Sequence, residues 1–278
     1  MNAEEQHTIA SERLKKAIIG FAIFSGITSV IVVAGVVYAI ESGIAISEET
    51  VIIGVAVLSP FFIIPIIILA RRASALERLL WKELAERYGF TYVHKPYFQS
   101  AALVFQEGHS RATVNGLTGT LSDRPFRLFQ YNYTVGTGKN KQYHTYCVAE
   151  VAFAGTFPHL YLNNTKNRDL SNLKGLFLPR LSLPHELEGT FNLHCPKEYE
   201  IEALEIFTPD ILAHILDAGW EHDLELVDQK LYVFREIPII NREALEYELA
   251  RLKELLEMLA PKLNRMKLEK VGDRKTTL

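Results

Sequence analysis

Cysteine is scarce in this chain of 278 residues, and charged residues are absent from two long stretches of it. The two cysteines, Cys147 and Cys195, are too few for a disulfide scaffold or a cysteine-based zinc site. The loop 136–141 (GTGKNK) lacks the serine or threonine that must follow the lysine of a phosphate-binding loop. With a net charge of −3, the chain also lacks the basic excess of a nucleic-acid-binding protein. We therefore predict no cofactor, no bound metal and no nucleic-acid partner.

The charge-free stretches are residues 18–40 and 51–70. At about 1.5 Å per residue, each can cross a hydrocarbon core of roughly 30 Å as a helix. Basic residues flank the pair on both sides, whereas the loop 41–50 contains glutamates and no base, which orients both flanks toward the cytoplasm. The sequence predicts a hairpin of two spans in the cell (inner) membrane, with both termini cytoplasmic. A helical hairpin buried in a soluble core is the alternative.

The predicted fold class is α+β, with the transmembrane hairpin followed by an antiparallel sheet or sandwich and bracing helices. Strands are expected because segments rich in β-branched and aromatic residues alternate with turn residues after residue 100. Segments 223–227 and 231–237 are expected to pair as a second hairpin. The predicted divisions are a cytoplasmic N-terminus (1–17), the hairpin (18–70), a juxtamembrane helix (71–89), a cytoplasmic α+β domain (90–240), and a C-terminal amphipathic helix with a tail (241–278).

The C-terminal helix has a leucine seam with alternating spacings of four and three, a heptad pattern. Its members are Leu245, Leu249, Leu252, Leu256 and Leu259. This seam can pack on the chain's own sheet or on a second copy of the chain. A homo-oligomer is therefore one interpretation of the pattern, and the sequence leaves both open.

Charge is unevenly distributed along the second half of the chain. Residues 109–181 contain nine Lys/Arg and three Asp/Glu, whereas 185–228 contain one Lys and twelve Asp/Glu. Solvated faces explain this pattern, and so does a pair of recognition surfaces. Exposed bases flank the predicted hairpin and occupy a strand–strand loop: Arg71, Arg72, Lys139 and Lys141. We expect these four residues to contact lipid headgroups of the bilayer or an unidentified protein partner.

Histidines and cysteines are the candidates for chemistry. His144 and Cys147 lie three residues apart in a predicted strand, so their side chains point to opposite faces and cannot share a metal. His194 and Cys195, as neighbours, fail for the same reason. His214 lies on a predicted short helix, 208–218, with acidic neighbours. A catalytic site would require the fold to bring such dispersed groups together, so we assign no catalytic residue.

One segment has a recognisable pattern. Residues 187–219, LEGTFNLHCPKEYEIEALEIFTPDILAHILDAG, are followed by LYVFREI at 231–237. Together with GLTGT at 116–120 and the aromatic strand 126–133, they resemble a family of uncharacterised bacterial membrane proteins. The resemblance implies two N-terminal transmembrane helices and a cytoplasmic domain of antiparallel strands. It implies no activity and no catalytic residues.

These features favour a membrane-anchored cytoplasmic module for binding or scaffolding over an enzyme. Anchoring is preferred to transport because neither apolar run contains an Asp, Glu, Lys, Arg or His. Two alternatives stay open. One is a membrane-bound hydrolase assembled from dispersed His, Cys and Asp groups, and the other is a structural membrane oligomer.

Overall fold

The structure is a computed structural model that describes residues 3–42, 48–97, 100–171, 178–183, 187, 189–238 and 241–265. The chain divides into two compact units, Met1–Glu83 and Leu84–Leu278. The end of the predicted C-terminal segment, residues 266–278, lies outside the described residues.

Two long helices make up the first unit. Helix α1 extends over Ala3–Glu41 and helix α2 over Glu48–Tyr88, so that α2 ends within the second unit. Helix α2 continues through Pro60 and Pro65 and includes the helix predicted beyond residue 71. The apolar runs are therefore parts of longer helices that also contain charged segments.

Among the described residues, no helix offers an apolar stretch long enough to cross a bilayer. This finding contradicts the predicted transmembrane hairpin, the two-span inner-membrane localisation with cytoplasmic termini, and the membrane assignment of the chain. The prediction was made from the absence of charged residues in the two runs alone.

The described residues of the second unit include an antiparallel sheet of seven strands. The strands are β1 (Thr91–Val93), β2 (His109–Leu121), β3 (Arg124–Val135), β4 (Gln142–Asn164), β5 (Arg180–Leu181), β6 (Phe191–His194) and β7 (Asp223–Glu236). Their order is β1-β2-β3-β4-β6-β5, and β7 pairs with β4. The antiparallel sheet expected in the sequence is thus present, without the transmembrane part of the predicted fold class.

Strand β4 is the centre of this sheet. It is 23 residues long and pairs with β3 through its first half, with β6 through its last residues, and with β7. The predicted second hairpin does not form, because β7 is one strand that pairs with β4 along most of its length. Asp228, at the expected turn, has a φ of 56° and lies opposite a register shift between Ala152 and Phe157. The turn residues therefore accommodate a bulge in a long strand pair.

Within the part of the second unit that the structure describes, the α-helices that accompany the sheet are α3 (Glu200–Ile206), α4 (Pro209–Asp217) and α5 (Arg242–Arg265). Helix α5 packs against β4 and α3. Its predicted seam residues are all buried within the single chain: Leu245, Leu249, Leu252, Leu256 and Leu259. The core between sheet and loops is aromatic, with Phe105 in edge contact with Tyr131 and Tyr232.

Candidate binding cleft

A cleft of about 590 Å³ opens in the second unit where the start of β4, the end of β7 and the turn after β4 meet. Its lining combines aromatic, cationic and hydrogen-bonding side chains: Tyr143, Thr145, Tyr146, Lys166, Asn167, Arg168, Glu236 and Pro238. Ligand sites in proteins typically have volumes of about 300–1,000 Å³. The size and mixed polarity of this cleft make it the candidate binding site.

Stacked aromatic rings support the cleft. Tyr146 is 2% exposed and stacks on Tyr133 with ring centroids 5.7 Å apart. Tyr133 in turn stacks on His144 at 5.0 Å, and Phe234 joins Tyr146 to Tyr161. These rings alternate with residues of the other sheet face, as the period of two in a strand requires. Burial raises the pKa of Tyr146, so its hydroxyl stays neutral and can donate a hydrogen bond.

Hydrogen bonds that Asn164 accepts give the turn after β4 its shape. The Asn164 side-chain oxygen accepts the Lys166 N–H at 3.0 Å, and its carbonyl oxygen accepts the Asn167 N–H at 2.8 Å. Such contacts are typical of an asparagine that begins a turn. The Asn164 amide also donates to the Trp220 carbonyl at 2.7 Å, which ties the turn to the segment before β7. Lys166 and Arg168 are thereby placed on either side of Asn167.

Two cations and one carboxylate set the charge of the cleft. Arg168 Nη2 lies 3.1 Å from Oε1 of the buried Glu107, which orients its guanidinium. Lys166 is exposed and has no ion-pair partner among the described residues. Glu236 Oε1 lies 2.8 Å from His144 Nδ1, so this carboxylate already has a partner. Because a histidine carries charge only when protonated, the lining presents both the ammonium of Lys166 and the carboxylate of Glu236 beside the paired Arg168.

A buried acid lies behind the turn. Asp223 is 1% exposed, and its Oδ1 accepts hydrogen bonds from the Asn164 N–H at 2.8 Å and from Asn167 Nδ2 at 2.9 Å. Its Oδ2 accepts the Tyr161 hydroxyl at 3.1 Å. Burial raises the pKa of Asp223 to about 7, because the hydrogen bonds only partly offset the cost of desolvating the charge.

The cleft can therefore bind a ligand that brings negative charge and accepts hydrogen bonds. Lys166 and Arg168 supply charge, Asn167 and Thr145 supply polar groups, and Tyr143 supplies an aromatic face that is 77% exposed. Among the described residues, no group of three His, Cys, Asp or Glu side chains could hold a metal ion.

The histidines and cysteines considered as catalytic candidates do not themselves line this cleft. Neither this cleft nor a second one of about 510 Å³ beside α5 is lined by His144, Cys147, His194, Cys195 or His214. Burial raises the pKa of the Cys147 thiol well above its usual value and that of Cys195 to about 11. Both thiols are thus held in the protonated form, which is the poor nucleophile.

The histidines among these candidates are bound to separate partners. His194 Nδ1 lies 3.0 Å from the Leu178 carbonyl oxygen, and His214 Nε2 lies 3.1 Å from Glu254. His144 is the nearest of them to the cleft, through its contact with Glu236.

The predicted contact residues lie on exposed positions. Arg71, Arg72, Lys139 and Lys141 are all exposed, and the headgroup or partner contacts expected of them stay a prediction. Sequence reasoning missed Lys166, Asn167 and Arg168. The signal that could have indicated them is the segment 163–168, NNTKNR, where asparagines frame a basic turn directly after a long strand.

No family model matches the sequence, and no curated protein matches it either. A solved structure with partial similarity is the crystal structure of the mycobacterial trehalose monomycolate transport factor A, TtfA. The two sequences are 12% identical, the TM-score is 0.48, and the match covers 69% of this chain and 98% of that one. At this identity and TM-score the likeness does not indicate a shared function.

Proposed function

We propose that this chain is a binding module that recruits a partner protein by taking a short acidic segment of it into the cleft. The observation that supports this proposal is that Lys166 and Arg168 line the same cleft as the exposed aromatic ring of Tyr143. Carboxylates of a partner would meet an ammonium and an oriented guanidinium, both strong donors to anionic oxygens.

The proposed interaction is modest in strength and depends on salt. Lys166 is exposed and Arg168 already has a partner in Glu107, so each ion pair with a ligand contributes at most about 1 kcal/mol. Specificity would come from Tyr143 and from the hydrogen-bonding groups of Asn167 and Thr145. A scaffold that brings partners together reversibly requires weak affinity of this order.

The hydrolase alternative has no comparable support, since neither of the two clefts described above is lined by the His and Cys side chains it requires. The oligomer alternative used the leucine seam of α5, which is buried in the chain's own core. A binding function is therefore the better supported of the three.

The test uses a fluorescein-labelled octapeptide with four glutamates and a matched octapeptide with four lysines. We expect fluorescence anisotropy to show that the protein prefers the acidic peptide, with an affinity that falls as salt rises. Lys166→Glu should weaken binding of the acidic peptide about fivefold to tenfold, because one attractive contact becomes repulsive. Arg168 is left unchanged because its removal would leave the buried Glu107 without its partner.

The matched control is Lys95→Glu, which makes the same charge change at an exposed position outside the cleft. We expect it to leave the affinity within about twofold of the unaltered protein. Equal weakening by both variants would mean that only the net charge matters. That result, or a lack of preference between the two peptides, would contradict the proposal.

A further inference from the structure

The cleft proposed as the binding site is lined by charges of both signs. Lys166 and Arg168 line it from the turn after β4, whereas the carboxylate of Glu236 lines it from the end of β7. Within the described part of the chain, neither cation forms an ion pair with Glu236, although all three side chains border one volume of about 590 Å³. A ligand in this cleft can therefore pair with charges of both signs.

The carboxylate of Glu236 has one oxygen available to a ligand. Its Oε1 lies 2.8 Å from His144 Nδ1, which orients the group. A neutral histidine donates a hydrogen bond without cancelling the negative charge. No described residue contacts Oε2 through a hydrogen bond or an ion pair, and the Glu236 side chain is 46% exposed. Oε2 can therefore accept a hydrogen bond from a cationic group of a ligand.

Tyr143 adds a second group that attracts cations. It is 77% exposed and lines the same cleft as Glu236. The two residues lie on paired strands, since Tyr146, three positions after Tyr143, is opposite Glu236 in the register of β4 with β7. The face of a tyrosine ring attracts an ammonium or guanidinium group within about 6 Å of its centroid. A carboxylate and an aromatic face on one cleft are the two kinds of group that bind a lysine or arginine side chain.

We propose that Glu236 and Tyr143 form a subsite for a basic side chain, so that the ligand of the cleft is a segment of mixed charge in which a lysine or arginine accompanies the acidic residues. This inference rests on the proposed function and narrows the class of partner. The carboxylates of the segment meet Lys166 and Arg168, and its basic side chain meets Glu236 Oε2 and the ring of Tyr143. A purely acidic segment would instead be repelled by Glu236.

The experiment compares octapeptides that differ in one residue. The acidic peptide contains four glutamates alternating with four glutamines, and four mixed peptides each replace one glutamine in turn with lysine. All five are labelled with fluorescein and titrated with the full chain at pH 8, where an ordinary histidine is neutral. We expect at least one mixed peptide to bind about threefold to fivefold more tightly than the acidic peptide, because it gains an exposed ion pair and an aromatic contact.

Two variants alter the subsite and leave Lys166 and Arg168 in place. Glu236→Gln removes the charge at an exposed position and keeps an oxygen that accepts the His144 N–H, so the fold is retained. It should reduce the gain from lysine to less than about 1.5-fold. Tyr143→Leu removes the ring from an exposed position and should reduce that gain by about half.

The matched control is Glu257→Gln, which removes the same charge from an exposed position of α5 outside the cleft. The chain has a net charge of −3, so any added lysine lowers the general repulsion between peptide and protein. This general effect is the same in Glu257→Gln and Glu236→Gln. The subsite predicts that Glu257→Gln retains the full gain from lysine.

An equal gain in Glu236→Gln and Glu257→Gln, or no gain from lysine at any of the four positions, would overturn the subsite. If the acidic peptide binds and lysine adds nothing, the proposed function stands and only the subsite fails. If no acidic or mixed peptide binds, both fail. A mixed peptide that binds through Glu236 while the acidic peptide does not would support the subsite and limit the proposed function to segments of mixed charge.

Discussion

Two buried acids beside β7 have pKa values that are shifted in opposite directions. Asp223, at the start of the strand, accepts hydrogen bonds only from neutral groups, and its pKa is raised to about 7. Glu248, on α5, lies 2.5 Å from His222 Nε2 and accepts hydrogen bonds from Arg235 Nε at 2.8 Å and Nη2 at 2.6 Å. Burial acts to raise the pKa of Glu248 as well, but these partners outweigh it and lower the pKa.

The difference shows that burial alone does not decide the charge of an acid. Both carboxyl groups are at most 5% exposed, so both lose most of their hydration. Cationic partners stabilise the charged form of Glu248, whereas neutral donors leave Asp223 close to half protonated at neutral pH. Glu248 therefore serves as a permanent structural anion, and Asp223 as a group that responds to pH.

The largest loss of stability should come from removing the charge of Glu248, the buried acid that has an arginine and a histidine as partners. Glu248→Gln would leave Arg235 and the buried His222 beside a neutral amide, and we expect a loss of about 3–5 kcal/mol in the free energy of unfolding at pH 7. Urea denaturation followed by circular dichroism measures it. The control is Glu254→Gln on the same helix, an exposed acid with contacts to His214 and Arg251, which should cost less than about 1 kcal/mol.

A loss at Glu248 no larger than at Glu254 would show that the cationic partners do not compensate a buried charge.

The pH dependence of the stability gives a second check with a defined sign. Because the pKa of Glu248 is lowered in the folded state, its stabilisation is present above the unfolded value of 4.5 and is lost as the pH falls through the folded value. The difference between unaltered protein and Glu248→Gln should therefore shrink in acid.

For Asp223, the buried acid without a cationic partner among the described residues, stability should depend on pH with the opposite sign. The folded-state pKa of Asp223, about 7, exceeds the ordinary value of 3.8, so the folded chain binds the extra proton between those values and its stability falls as the pH rises. In Asp223→Asn this contribution disappears. We expect the change in unfolding free energy between pH 5 and pH 8 to differ from that of the unaltered protein by roughly 2–3 kcal/mol.

Urea denaturation at the two pH values measures this difference, and Asp228→Asn is the control, since it removes an exposed acid from the same strand. A pH slope that is the same in Asp223→Asn and the unaltered protein would contradict the raised pKa. A slope that changes in Asp228→Asn instead would assign the effect to surface charge.

Sequence patterns located the secondary structure of the second unit better than its buried charges. The period of α5 is visible in its leucines, and the strands β2, β3 and β4 follow from β-branched and aromatic segments. Asp223 and Glu225 occur in an acidic segment, for which solvated faces were an explanation, yet both are buried. Their donors come from positions about 60 to 120 residues earlier in the chain, beyond the reach of any local pattern.

The cleft was unpredictable for a related reason. It joins the start of β4 to the turn after its end and to the last residue of β7. The pairing register of β4 with β7 places Tyr146 opposite Glu236, but the turn follows the other end of β4, so no local pattern indicates that it lines the same cleft. The sequence suggested a hairpin within β7, because residues 228–230 have the composition of a turn. The apolar runs also led to a wrong prediction, because their composition predicted a membrane hairpin that the described helices do not support.

The smallest loss of stability should come from Glu225, a third buried acid. Its compensation by neighbouring groups is intermediate between that of Asp223 and that of Glu248. Glu225 is fully buried; its Oε1 lies 2.6 Å from His159 Nε2, and both its oxygens accept the Leu103 N–H at 2.8 and 2.9 Å. Burial raises the pKa of Glu225 and outweighs the contributions of His159 and Leu103 that lower it. One titratable partner is thus weaker compensation than the arginine and histidine beside Glu248.

Glu225→Gln imitates the protonated form that burial favours. The glutamine carbonyl can still accept the Leu103 N–H, and its amide can donate to a neutral His159 ring, so we expect a loss of only about 1 kcal/mol in unfolding free energy at pH 7. Urea denaturation beside Glu248→Gln gives the comparison directly. A loss as large as that at Glu248 would mean that a single histidine compensates a buried carboxylate as fully as an arginine and a histidine together. The permanent charge of a buried acid in this fold would then depend on having any cation nearby, and the absence of one would be what makes Asp223 responsive to pH.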